Sequence, residues 1–123
     1  MISNLLRAAR GQSAEDAAQA HLLSKGLVTL ARNWRAKGGE LDLVMREREV
    51  LVFVEVRTRS SAAFGGAAAS VTTTKQRRVI TAAKQFLARH PEHAERESRF
   101  DVVSFEQDGK LQWLQAAFEV ENA

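Results

Sequence analysis

Residues 38–59, GGELDLVMREREVLVFVEVRTR, decide the fold. From Val50 to Val56 the stretch is apolar on both alternating faces, and only Glu55 interrupts it. Such a run marks a central strand covered on both sides, the habit of α/β proteins. The preceding strand alternates, with Leu41, Leu43 and Met45 on one face and Glu40, Asp42 and Val44 on the other. The RERE between them is polar and lacks a favoured turn residue. A reversal at Arg48-Glu49 sets Asp42 opposite Glu55 and Glu40 opposite Arg57. A slip of two residues sets Glu40 opposite Glu55 instead. In either register carboxylates converge, with opposed Cβ atoms about 4.5–5.5 Å apart.

A carboxylate inside an apolar strand is costly unless it is paired, hydrogen-bonded or bound to a metal. Like charges directly opposed also destabilise a sheet unless a cation lies between them. Mg2+ suits such a place, since it takes one or two carboxylates and completes its octahedron with water and substrate phosphates. The competing reading is an ion-paired strand end made by Glu40, Asp42, Glu55 and Arg57. Against it stand the embedding of Glu55 among apolar residues and the second carboxylate strand just before it.

Working outward, residues 1–10 read as a basic tail, and Ser13 as the N-cap of a helix reaching about Lys25. Ala14, Ala17, Ala18, His21 and Leu22 form its inner stripe, and Gly26 ends it. LVTLARN, from Leu27, reads as a strand joined to ELDLVMR by the turn AKGG. SSAAFGGAAAS, residues 60–70, is a small-residue connector. In the following TTKQRRVITAAKQFLARH, Val79, Ile80, Ala83, Phe86 and Leu87 recur at helical spacing until Pro91. RFDVVSFE and LQWLQ form a last hairpin around Asp108-Gly109, leaving residues 116–123 as an acidic tail. The order α-βββ-α-ββ predicts a mixed central sheet flanked by helices, one domain over residues 11–115.

Cysteine is absent, which excludes disulfides, thiolate metal sites and cysteine nucleophiles. No apolar run approaches a membrane span, nor is any N-terminal stretch apolar enough for a secretory signal, so the expectation is a cytoplasmic protein with no membrane partner. Charge is segregated. Residues 1–91 hold 15 basic and 7 acidic side chains, and residues 92–123 hold 3 and 8. Of the 18 basic residues 13 are Arg, the side chain fitted to bidentate phosphate contacts, so nucleic acid is the expected partner. Arg59, Lys75, Arg77 and Arg78, around the connector and the second helix N-terminus, are the candidate phosphate contacts. His90 and His93 read as surface residues, His21 as a core-edge residue, and Trp34 and Trp113 as packing residues. Asp101 reads as the ion-pair partner of Arg99.

The stretches GQSAEDAAQAHLLSKG, ARNWR, GGELDLV, LVFVEVRTR, FG, TTKQRR and RFDVV, in that order from Gly11 to about Phe105, resemble the YraN-like family of bacterial proteins. That family is assigned to the PD-(D/E)XK nuclease superfamily, beside the Holliday-junction resolvases. The resemblance implies a restriction-endonuclease-like, resolvase-like core and a Mg2+-dependent phosphodiesterase site, with Mn2+ as a substitute ion. Under it Asp42 and Glu55 hold the ion, the Val56 carbonyl is a further ligand, and Glu15 reaches in from the first helix. Arg57 stands where the superfamily pattern has Lys. An Arg is always charged, so it can clamp a phosphate or stabilise developing charge but cannot act as a general base.

The expectation is therefore an endonuclease acting on DNA before RNA, branched DNA included. A symmetric junction would call for a two-fold homodimer. The alternatives are a nucleic-acid-binding module without turnover on the same fold, and a protein-interaction scaffold.

Overall fold

The computed structural model describes residues 2–58 and 71–120, with side chains from residue 13 onward. Arg59 and the 60–70 connector therefore lie outside the described residues. Helix α1 (Ile2–Ser24) precedes three strands, β1 (Val28–Ala36), β2 (Gly39–Glu47) and β3 (Val50–Thr58). Helix α2 (Thr73–Arg89), a 3-10 turn at Pro91–His93, β4 (Ser98–Phe105) and β5 (Leu111–Phe118) follow among the described residues. The five strands form one sheet in the order β1-β2-β3-β4-β5. Only β3 and β4 run parallel, because the crossover through α2 separates them, whereas short turns make their neighbours antiparallel. The architecture is the mixed sheet with flanking helices that the element order predicts.

Among the described residues each face of the sheet carries one helix. Ala18 and Leu22 of α1 pack on Leu43, Met45, Val52, Val54 and Val103. Val79, Ala82, Ala83 and Phe86 of α2 pack on Leu41, Val44, Leu51, Phe53 and Phe100. Strand β3 thus sends Val52 and Val54 to one helix and Leu51 and Phe53 to the other, as its two-sided apolar pattern requires.

Element ends differ from expectation in two places. Helix α1 begins at Ile2 rather than at Ser13, because ISNLLRAARGQ contains no stronger breaker than Gly11, and one glycine does not end a helix. Strand β5 runs to Phe118, three residues past LQWLQ. The Phe118 ring stacks on Phe100 with centroids 4.9 Å apart, and the Ala116 N–H donates to Asp101 Oδ1 at 2.9 Å. In the inner stripe of α1, Ala18 and Leu22 are buried, while Ala17 is exposed.

The β2–β3 reversal falls at Arg48-Glu49 despite the absence of a turn-forming residue. Arg48 adopts φ 52, uncommon for a side chain of its size. Its carbonyl accepts from Arg46 Nη1 at 2.7 Å, and Arg96 pairs with Glu49 at 2.8 Å. The resulting register, Glu47 on Val50 through Leu43 on Val54, is the one that directs Asp42 toward Glu55.

Candidate functional site

Pairing between β2 and β3 stops at Leu43 and Val54. Beyond that point β2 stays paired to β1 as far as Gly39, and β3 stays paired to β4 as far as Thr58. The sheet forks there. At the fork Asp42 Oδ2 accepts the Val56 N–H at 2.9 Å, so a carboxylate replaces the backbone partner that the ladder no longer supplies.

Side-chain alternation breaks at the same level. Arg32 pairs with Glu15 and Asp16 of α1, whereas Trp34, two residues on, meets Phe86 of α2 edge-on at 5.4 Å. Asn33 between them has φ 51. Across the ladder Leu43 faces α1 and Leu41 faces α2, so the expected grouping of Leu41 with Leu43 and Met45 does not hold. The β1–β2 tip consequently leans onto α2. There Gly39 approaches so closely that a Cβ would lie 2.1 Å from the Arg78 carbonyl oxygen, which explains the glycine. Gln85 Nε2 donates to the Lys37 carbonyl at 2.7 Å and holds the tip down.

Glu55 occupies the floor of the fork at 1% exposure. Its carboxylate is poorly satisfied for so buried a group: the Lys75 ammonium, 3.2 Å from Oε1, is its one ion-pair partner among the described residues. Burial first, and then the Asp42 charge, push the Glu55 carboxyl up to about 8, against the pull of Lys75 and Arg57. Burial also raises Asp42, opposed by the Val56 amide and by Lys75. Glu15 is raised by burial and by Asp42, with Asn33 and Arg32 opposing. Glu15, Asp42 and Glu55 thus act on one another in series, from α1 through β2 to β3. Among the described residues no three His, Asp or Glu side chains cluster as a ready-made metal cage.

The other expected residues divide. Arg57 is half-buried and acts on Glu55 only through its charge, with no ion pair among the described residues. Glu40 does not meet Arg57; it faces Arg35 across the β1–β2 ladder, 3.8 Å away. Val56 takes part through its amide. Lys75 and Arg78 line a groove of about 390 Å3 together with Arg35, Ala36, Gly38, Gly39 and Glu40. Arg77 is exposed outside that lining. Arg35 is the residue that sequence reasoning missed, although the AKGG turn alone places it opposite Glu40. At the other end of the β2–β3 hairpin a hollow of about 420 Å3 is lined by Glu49, Val50, Glu92, Glu95, Arg96 and Glu97. Its charge is opposite, so the basic lining belongs to the fork.

Asp101, fully buried, is a structural ion-pair partner. Arg99 Nε donates to it at 3.0 Å, Trp113 Nε1 and the Ala116 N–H donate at 2.9 Å each, and Arg99 also reaches Glu47. Trp34 packs on Phe86, as expected. No helix among the described residues is long and apolar enough to cross a membrane.

Comparison with known proteins places these residues in a family context. The model of the family described as "Uncharacterised protein family UPF0102" matches residues 14–105, which include Glu15, Asp42, Glu55, Arg57 and Lys75. A UPF0102 protein of Pseudomonas entomophila is 53% identical over 113 residues, covering 89% of this chain and 92% of its own. One of Saccharophagus degradans is 52% identical over 108 residues, covering 88% and 91%. One of Cupriavidus taiwanensis is 55% identical over 121 residues, covering 95% and 88%.

Proposed function

The chain belongs to the uncharacterised protein family UPF0102, the YraN-like family, and we propose that it is a Mg2+-dependent endonuclease hydrolysing phosphodiester bonds in DNA, branched DNA included. One observation carries this reading: Glu55 is buried beside Asp42 with the Lys75 ammonium as its one ion-pair partner among the described residues, at a fork bordered by a basic groove. A stability role alone gives no reason to leave a buried carboxylate so poorly satisfied.

The donor set fits a hard divalent cation. Asp42 and Glu55 supply oxygen ligands, and a pair suffices for an ion that keeps most of its waters. Glu15, on α1, feels the Asp42 charge and would join the site directly or through water. When bound, Mg2+, or Mn2+ in its place, polarises a phosphate oxygen and lowers the pKa of an attacking water. The Val56 amide fixes the rotation of Asp42. Arg57 is suited to clamping a phosphate and stabilising charge, not to removing a proton. Arg35 and Arg78 offer exposed guanidinium groups to the flanking backbone.

A binding module without turnover is the second reading, favoured by Arg57 in the place of the superfamily lysine. A cleavage assay on linear, flapped and four-way DNA with Mg2+ or Mn2+ separates the two. The endonuclease cuts at least one of them, and Asp42→Ala and Glu55→Ala abolish cutting. Binding without cutting by any of the three proteins would establish the module.

A further inference from the structure

The position of Lys75 bears on how the site exchanges one cation for another, and this step rests on the metal-binding reading above. Lys75 belongs to the first turn of α2, where its N–H donates to the N-cap Thr72 Oγ1 at 3.2 Å. Its backbone is therefore fixed, while its four-carbon stem is flexible. The ammonium lies 3.2 Å from Glu55 Oε1, on the carboxylate that a metal would use. The same side chain is 36% exposed and lines the groove with Arg35 and Arg78. It thus has two stations within reach, one over Glu55 and one toward the groove.

We propose that Lys75 is the resident counter-ion of the metal-free site, displaced from Glu55 by a divalent cation and thereby delivered to the phosphates of a polynucleotide in the groove. Two cations cannot share one desolvated carboxylate without strong repulsion, since water no longer screens them. The arriving ion expels the ammonium, and the groove is the open direction. Metal and polyphosphate then assist each other by the same factor in both directions. Lys75 acts as a positioning residue, and its removal has opposite consequences for the two ligands: metal binds more tightly and nucleic acid more weakly. A purely structural ion pair leaves the ammonium in place, and its reactivity unchanged, when metal binds.

The test is calorimetric titration of the full chain with Mg2+ alone at pH 8, comparing wild type, Lys75→Met and Lys75→Arg. Lys75→Met should bind Mg2+ about tenfold more tightly, and Lys75→Arg, which keeps the charge, about as weakly as wild type. Binding of a short DNA duplex, with Ca2+ used to hold off cleavage, should be strengthened by the metal in wild type and much less in Lys75→Met. A second measurement needs no variant. The reactivity of Lys75 toward an amine-acylating reagent, followed by mass spectrometry, should rise severalfold on adding Mg2+. Equal or weaker Mg2+ binding by Lys75→Met, or unchanged acylation of wild type under saturating Mg2+, overturns the displacement while the metal centre stands. Absence of Mg2+ binding in all three chains overturns both. Binding by Lys75→Met alone supports displacement in its strongest form.

Discussion

Asp101 and Glu55 are both buried carboxylates, on the paired strands β4 and β3, and they are treated in opposite ways. In the parallel register Asp101 stands beside Val54 and Glu55 beside Val102, so the two are one step apart and face opposite sides of the sheet. Asp101 is surrounded by donors: the Arg99 guanidinium, the Trp113 indole and the Ala116 amide. Among the described residues Glu55 has a single ammonium and no backbone or neutral side-chain donor. The first arrangement ties β5 and the end of β2 to β4 and belongs to the fold. The second leaves a buried carboxyl group poorly compensated, which a folded chain tolerates where a ligand completes it.

The largest expected effect breaks the fully satisfied side of this comparison. Asp101→Ala strands Trp113 Nε1 and the Ala116 amide and leaves the Arg99 guanidinium with Glu47 alone, and should cost about 3–5 kcal/mol in urea unfolding. Glu55→Gln, measured metal-free at pH 8, should leave stability equal or higher, because it removes repulsion with Asp42. A comparable loss in both variants would erase the distinction.

Next in size is the pH dependence of the metal-free protein. The unfolded chain releases the Glu55 proton near 4.5, whereas the folded protein keeps it to about 8. Between those values the folded state binds more protons, so stability falls as pH rises and levels off above 8. The decline should be on the order of 5 kcal/mol at most, comparable with the first effect, and Asp42 is raised in the same direction. Urea melts at several pH values with a chelator should show the slope in wild type and a much flatter profile in Glu55→Gln.

Smaller again is the response to metal. Mg2+ at ten times its dissociation constant should stabilise wild type by about 1.4 kcal/mol, raising the melting temperature by a few degrees. Glu55→Gln should lose this response, since a neutral amide is a poor partner for the ion. The smallest effects concern the groove. Arg35→Ala and Arg78→Ala should each flatten the log–log salt dependence of duplex binding by about 0.9, whereas Lys110→Ala, in the β4–β5 turn, should leave it unchanged.

Much of the site is legible along the chain because it obeys strand alternation. Glu55 declares itself as the one charged residue in an apolar run, and the length of RERE limits the register to two choices. The observed register is one of them, even though Arg48 must take a positive φ to close the turn. The fork was not legible. It depends on β2 remaining with β1 while β3 remains with β4, and on Asn33 reversing the alternation of β1. Hence Glu40 finds Arg35 rather than Arg57, and Leu41 turns to the opposite face from Leu43.

The local pattern of the chain determined which strand is central, that two helices cover it, and which carboxylates lie near one another. These follow from periodicity and burial, which act over a few residues at a time. Only the tertiary structure decided which cation reaches Glu55. That choice turns on where the crossover helix docks, and the docking is governed by the contact of Gly39 with the Arg78 carbonyl and by the packing of Phe86 against Phe53 and Trp34. Lys75 and Glu55 are 20 positions apart, and no short-range pattern in the chain encodes their 3.2 Å meeting. Packing of the helix on the sheet brings them together, because the core closes only in that orientation.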